Sequence, residues 1–522
     1  MNASARHVSG SVRRFRVAWA VVAALLAGGC VSRPILLRSD QQTAIDRQFV
    51  EYPAGCELRL LVDGLTAPTA IAFDNEGSLL IAEAGIDGYA PRICGFRSDG
   101  TYFEIYPRRR QLPLGLGGGT GFQMHGPIGG MAFANGRIYV SHRDAHGGGV
   151  ITAFEADGSH RTIVADLPAG GDHGVTDIVA GANGRIHFGV GSATNSGVVG
   201  IDNMSWLRRD RTMCDRPLND LYLLGRRFDT DNPFAGLFGG SDIAVTAPFQ
   251  PFGKSIETRI AAAANGKPTA AIYSVDPNGG DLRVEAHGVR YPVGLGFNEF
   301  GRLYMTNQGM KLRGTRPVKD DPDVLLRLVV GQWYGWPDFS ANLLPIRDPR
   351  FQPPVEMIVK TGYRDLSFLI DHETSKLTAP NPNTLLAAEF PPLSGAAKFD
   401  FVPASGPFSG LRQAGMVAIV ALFGDRAPFD TGGLKLAGPT GYKLVQVNID
   451  PSRQVRDFVR NTRLGPASAN GQPVGLERPI DVKFGPDGAL YILDFGQMQM
   501  RRGQEQVSAG TGRVFKLVGR PE

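Results

Sequence analysis

The chain has 522 residues, of which 42% are hydrophobic, 9% aromatic and 20% charged, the makeup of a folded globular protein with a large core. Its formal charge is +5, but the first 29 residues hold Arg6, Arg13, Arg14 and Arg16 and no acid. The remainder therefore stands at +1, which gives nucleic-acid binding no electrostatic support. Sixty-eight glycines and 36 prolines exclude a helical bundle and point to turn-dense β structure.

In chain order, the first element is a leader. Behind its arginines, Val17–Leu26 is apolar but too short to span a bilayer, and it ends in Leu26-Ala27-Gly28-Gly29-Cys30, the pattern of a bacterial lipobox. The expected arrangement is a signal peptide over 1–29, an acylated Cys30, a linker over 30–54 and one domain over 55–518. An ordinary cleaved secretory peptide is the alternative. Either leader exports the protein, so the expected location is the cell envelope, facing the periplasm and held there by lipid alone. Val31 is not the Asp that commonly retains such lipoproteins in the inner membrane, which favours the outer one. Beyond Cys30 only Cys56, Cys94 and Cys214 remain, enough for one disulfide at most. The sequence has no CxxC zinc or redox pair and no CxxCH haem site.

Internal repetition then overrides the several domains that length alone suggests. Ala67–Gly85, Gly126–Asp144, His173–Ser192, Tyr291–Gly309 and Arg478–Gly496 share one frame: a small start, an apolar strand, a Gly-centred turn and a second strand ending in small or polar residues. Asn-Gly and Asp-Gly at the turns suit tight hairpins because they tolerate positive φ. Second hairpins such as GVITAFEADGSHRTIVAD, AAIYSVDPNGGDLRVEA and YKLVQVNIDPSRQVRDFV lie between the copies, and GMVAIVALFG (Gly415–Gly424) reads as a degenerate sixth copy. The expected fold is all-β: a six-bladed β-propeller of four-stranded antiparallel blades, with long insertions near 200–265 and 340–400. Gly512–Val518 is expected to pair with Cys56–Gly64 and close the ring.

Four motifs sit where the inner strands of such a propeller begin or end. Asp172-His173 lies in a glycine-rich loop (L-P-x-x-x-D-H). Arg290 and Tyr291 lie in GVRYPVG (Gly288–Gly294). Asn307-Gln308-Gly309-Met310 ends a strand, and Trp333–Asp338 reads W-Y-G-W-P-D. Together they resemble the soluble glucose/sorbosone dehydrogenases, a divergent match running from about residue 55 to 518. That family comprises quinoproteins that use pyrroloquinoline quinone (PQQ) and Ca²⁺ to oxidise sugars or aldehydes.

The resemblance implies that His173 is the general base, a task that suits imidazole because its pKa lies near the working pH, and that Asp172 helps hold the site. It implies that Arg290 meets a cofactor carboxylate or quinone oxygen, for which a planar guanidinium is well shaped. It places Trp336 against the flat cofactor, and Gly309 and Met310 carbonyls on a Ca²⁺ that polarises the quinone. Arg478, His125 and Arg426 are further cofactor-side or substrate-side positions, with Gln123 a substitute for His125. Three positions depart from the family. Ser192 stands where an aspartate orients the histidine, Tyr291 replaces an asparagine, and the cofactor-side lysine has only Arg426 as its nearest counterpart. The expected partners are a small sugar or aldehyde and a separate periplasmic electron acceptor.

Propellers host many functions, and two other readings remain open. One is a lactonase with an axial divalent metal, drawing on Asp172, Asn195 and Asn307. The other is a non-catalytic sugar- or protein-binding propeller.

Overall fold

The computed structural model describes residues 33–107, 122–155, 157–235, 241–256, 261–413, 415–449, 452–501 and 503–519. The expected signal peptide and Cys30 lie outside the described residues. The described residues form six antiparallel sheets around an axis, each with its first strand innermost. Blade 1 comprises Pro68–Phe73, Leu79–Glu83, Arg92–Phe96 and Tyr102–Tyr106. Blade 2 comprises His125–Ala134, Arg137–Arg143, Gly149–Phe154 and His160–Leu167. Blade 3 is Val175–Ala180, Ile186–Val190, Ala271–Val275 and Arg283–His287, and blade 4 is Pro292–Phe297, Leu303–Asn307, Asp323–Arg327 and Leu386–Phe390. Blade 5 is Ala396–Phe401, Val417–Leu422, Lys443–Asn448 and Val455–Asn461. Blade 6 takes Pro479–Phe484, Leu490–Asp494 and Gly512–Gly519 from the end of the chain and Cys56–Leu65 from its start.

The closure follows the sequence expectation: Leu58 pairs with Leu517 and Leu60 with Phe515. The two repeat copies most distant in sequence thereby become neighbours, with Asp481 of blade 6 accepting from Ile71 N of blade 1 at 3.0 Å. The Asn-Gly hairpin also forms as expected. Ala134 pairs directly with Arg137 across Asn135 (φ 53°) and Gly136 (φ 75°), two positive-φ residues that match the twist of the flanking strands.

Blade 5 departs from the reading. Gly415–Gly424 supplies its second strand, and the inner strand is Ala396–Phe401, joined to it across residues 402–416 instead of through a Gly turn. Its sequence AAKFDF carries Lys398 and Asp400, which interrupt the apolar pattern. Lys398 is nevertheless 2% exposed, because its ammonium crosses the axis to Asp177 of blade 3 at 2.9 Å. The expected 30–54 linker is docked on the blades. Ile35–Leu36 pairs with Val62 and Asp63, Val50–Glu51 pairs with Arg460 and Asn461, and Ile45 and Val50 are buried.

Between blades the sheets pack face to face through apolar side chains, such as Ile151, Val164, Phe188 and Tyr273 between blades 2 and 3. Each such fully buried side chain contributes roughly 1.5–3 kcal/mol. The first insertion, between strands two and three of blade 3, and the second, between strands three and four of blade 4, share a separate core containing Phe249, Trp333, Trp336, Phe351 and Ile370. Helices here are single turns of at most four residues, and no helix among the described residues is long and apolar enough to cross a membrane. Cys56, Cys94 and Cys214 are free thiols, and burial pushes Cys94 up to about 12.

The closing strand ties both chain ends into one sheet, so its core should govern global stability. Phe515 is fully buried between Leu60 and Ile492. Phe515→Ala should cost about 3–5 kcal/mol, read as a lowered urea midpoint with an unchanged slope.

Candidate active site

The inner strands begin at a common end of the axis, where the loops enclose a cavity of about 520 Å³. Its floor includes Lys398, held by Asp177, with Asp481 and Lys483 of blade 6 in the same ionic layer. Its walls carry His173 from the loop entering blade 3, Arg290 and Tyr291 from the loop entering blade 4, and Arg426 from blade 5.

His173 is 8% exposed. Its Nδ1 faces the Ser192 carbonyl at 3.1 Å and the Ser192 Oγ at 3.2 Å. A carbonyl only accepts, and the Ser192 hydroxyl already donates to Thr194 O at 2.6 Å, so Nδ1 carries the hydrogen and the Nε2 lone pair is left open. The ring stacks on Tyr291, with centroids 4.0 Å apart. Gly191 makes this approach possible, since a Cβ there would stand 2.3 Å from that of His173. Burial, then the nearby Arg290 and Arg313 cations, hold the imidazole well below its usual pKa, so it is neutral.

Arg290 is 2% exposed and donates from Nε to Asn195 O at 2.9 Å, from NH2 to Asn195 Oδ1 at 2.9 Å, and from NH1 to Gln308 O at 3.3 Å. All three acceptors are neutral. Burial, with Arg313 adding repulsion, lowers this guanidinium to about 10.

Arg313, by contrast, is saturated with carboxylates. It reaches Asp172 at 2.7 Å, Asp202 at 2.5 Å and Asp430 at 3.2 Å. Asn203 Nδ2 donates to the other oxygen of Asp172 at 2.7 Å. Burial raises Asp202 to about 6 despite Arg313, whereas Arg313, Lys311 and Arg426 together outweigh burial at Asp430 and lower it. The sequence reading missed Arg313, Asp202 and Asp430. Asp202 lies inside an insertion, Arg313 and Asp430 lie outside the repeat frame, and no spacing links the three.

The structure thus brings Asp172, His173, Arg290, Tyr291 and Arg426 to one cavity. Arg426 pairs there with Glu505 at 3.0 Å. Other expected positions are elsewhere. Trp336 is 5% exposed in the insertion core, 6.2 Å from Phe249, with Nε1 3.3 Å from Asn195 O. It therefore stands behind the Asn195 backbone and does not line the cavity.

His125 and Gln123 face a smaller outer pocket with Tyr89 and Tyr106, because the strand register shifts between His125 and Gly130. Arg478 is held between Phe423 and Tyr442, its guanidinium 5.0 Å from each ring, and donates to Asp425 O at 3.0 Å, outside the cavity lining. Gly309 and Met310 lie behind the wall formed by Gln308 and Lys311. Their amides donate to Asp323 at 3.0 Å and Asp321 at 2.7 Å. Side chains invoked for an axial metal are engaged: Asp172 by Arg313, Asn195 by Arg290, and Asn307 by Tyr291 N at 2.9 Å.

No protein-family model matches the sequence, and no curated protein matches it. Solved structures do. The holo form of a pyranose dehydrogenase PQQ domain from Coprinopsis cinerea is 15% identical, with a TM-score of 0.50 over 90% of this chain and 97% of that one. A carbohydrate-active enzyme of family AA12 from Trichoderma reesei is 16% identical, with a TM-score of 0.49 over 93% and 100%. A gluconolactonase from Xanthomonas campestris is 12% identical, with a TM-score of 0.38 over 94% and 98%. At these identities the likeness is one of fold: the chain is a six-bladed β-propeller.

The depressed basicity of His173 makes a direct prediction. Its stability contribution is full above the free-imidazole value of about 6.5 and is lost as pH falls below it, when the unfolded chain takes up the proton first. In cofactor-free protein labelled with ¹⁵N-histidine, the resonance that disappears in His173→Gln should keep the neutral, Nδ1-protonated signature at pH 6. A half-protonated signal near pH 6.5 would contradict the assignment.

Proposed function

We propose that the protein is a quinoprotein dehydrogenase that oxidises the hydroxyl-bearing carbon of an aldose or aldehyde hydrate. The observation that carries this reading is the pairing, in one cavity, of a neutral histidine with an open Nε2 and a buried guanidinium bonded only to neutral acceptors. A buried charge without a counter-ion is costly, so Arg290 favours an anionic occupant. PQQ fits that demand with its carboxylates, and the propeller of the Coprinopsis domain is known as a PQQ domain. When bound, PQQ supplies an ortho-quinone that accepts two electrons with a hydride.

The described residues treat calcium differently. The Gly309 and Met310 carbonyls accept no hydrogen bond among the described residues, yet Ca²⁺ takes about six to eight oxygens, and Lys311 and Arg290 flank this turn. These residues alone do not make a calcium site, and the proton chemistry runs on side chains. His173 Nε2 takes the hydroxyl proton while the hydride leaves the same carbon. Ser192 O and Oγ hold Nδ1–H and stabilise the imidazolium that results. Tyr291 fixes the ring plane, and Arg290 orients the anionic acceptor.

Adding PQQ and Ca²⁺ to purified protein should produce dye reduction with an aldose. Lactone hydrolysis with a divalent metal alone would favour the lactonase reading, and neither activity would favour a binding propeller. His173→Ala should lower turnover by roughly 10²–10⁴-fold and leave PQQ retention, measured by absorbance, nearly unchanged. Full activity in that variant would remove His173 from the mechanism.

The leader motif supports a lipid-anchored, periplasm-facing enzyme that passes electrons to a separate acceptor. Cys30→Ser should move the protein out of the membrane fraction or leave it uncleaved. Unchanged fractionation would rule the anchor out.

A further inference from the structure

The cations of the cavity are unevenly matched. Arg313 has three aspartates, Lys311 has Asp323 at 3.2 Å, Lys398 has Asp177 and Arg426 has Glu505. Apart from Arg290 and the exposed Arg209, the cation of the lining without an ion-pair partner among the described residues is Arg143, at the end of the second strand of blade 2. It makes one hydrogen bond, from NH2 to Ala169 O at 3.0 Å, and its buried Nε has no partner. The adjacent Asp144 carboxylate is engaged by the following turn, accepting from His146 N at 2.8 Å and Gly148 N at 2.9 Å. Burial lowers Arg143 to about 10, with Arg209 repelling it further.

The guanidinium lies over the Trp206 ring, 4.8 Å from its centroid, and Arg209 stands 5.6 Å from the same ring on the cavity rim. This cluster adjoins the reactive end of the cavity. A Cβ on Gly174, the residue after His173, would stand 2.8 Å from Arg143 NH2, so glycine there lets the guanidinium sit beside the base.

We propose that Arg143, Trp206 and Arg209 form a subsite for the carboxylate of an acidic sugar, so that the substrate class is a uronic acid or similar carboxylated carbohydrate. A flat guanidinium fork matches a carboxylate, the half-buried Arg143 has no carboxylate partner among the described residues, and Trp206, beneath both guanidiniums, holds Arg143 and Arg209 side by side at the cavity. With the carboxylate at Arg143, the oxidisable hydroxyl lies toward His173. This inference rests on the dehydrogenase reading for its chemistry but not for its binding.

The test is calorimetric titration of the protein, with and without added PQQ, using D-glucuronate, D-glucose and glucose 6-phosphate. Glucuronate should bind at least tenfold more tightly than glucose at low salt. Arg143→Gln should bring it to the glucose level, and Arg209→Gln, at the exposed rim, should weaken it several-fold. Equal binding of glucuronate and glucose by the unmodified protein would overturn the proposal, whether or not Arg143→Gln folds. So would a preference for the phosphate ester, or an Arg143→Gln protein that binds glucuronate normally but loses PQQ, which would assign Arg143 to the cofactor. If PQQ never binds while glucuronate binding still depends on Arg143, the dehydrogenase reading falls and the subsite stands.

Discussion

The structure depends on how six inner strands satisfy their axial edges. In a propeller these strands converge without pairing with one another, so each presents backbone groups that are buried and need partners. Side chains of the neighbouring blade supply them around the whole ring. Thr69 donates to Ile128 O at 2.9 Å between blades 1 and 2, and Ser141 to Thr176 O at 2.5 Å between 2 and 3. Asp177 accepts from Leu295 N at 3.0 Å, Thr306 donates to Ala397 O at 2.7 Å, Asp400 accepts from Phe484 N at 2.9 Å, and Asp481 accepts from Ile71 N. The stitches are polar because the groups they satisfy are polar, and they lock blade order more specifically than apolar packing alone.

Three of those stitches are aspartates, and buried aspartates need cations. Lys398 and Lys483 provide them, which sets an ionic layer around the axis at the floor of the cavity. The same logic builds the wall. Arg313 gathers Asp172, Asp202 and Asp430 from three separate stretches of chain, binding the first insertion and blade 5 to the loop that enters blade 3. Removing one partner of such a buried network typically costs about 3–5 kcal/mol, so the loop bearing His173 is tied through Asp172 to two other stretches of chain. Because Arg313 holds these three aspartates, Arg290 has no carboxylate partner among the described residues.

Much of this was legible in the sequence where backbone geometry dictates residue type. The repeated apolar strand, the positive-φ Asn135-Gly136 turn and the complementary end strands give blades, hairpins and closure. The Asp172-His173 and Arg290-Tyr291 motifs likewise mark the loops that meet at the cavity. The inner strand of blade 5 was hidden because Lys398 and Asp400 break its apolar alternation in order to meet charges across the axis. Trp336 and His125 were placed by motif, but a motif fixes backbone position and leaves side-chain direction to packing. The insertion core draws Trp336 behind Asn195, and the irregular register at His125 turns it to an outer pocket. Arg313 and Arg143 carry no local signal, since their meaning lies in which charges tertiary structure brings beside them.

The Arg290 guanidinium and the histidine are also electrostatically linked. Burial and the Arg290 and Arg313 cations keep the His173 imidazole weakly basic, and Ser192 offers Nδ1–H only neutral oxygens where a carboxylate would strengthen the base. An anion on Arg290 would cancel the charge that opposes protonation at Nε2, and a carboxylate at the proposed Arg143 subsite, beside Gly174, would act in the same direction. An anion at either guanidinium would therefore move the imidazole pKa upward, the direction the proposed general base needs. A carboxylate at 192 would make the base permanently stronger. On the proposed function, the serine leaves the strength of this base conditional on what occupies the cavity.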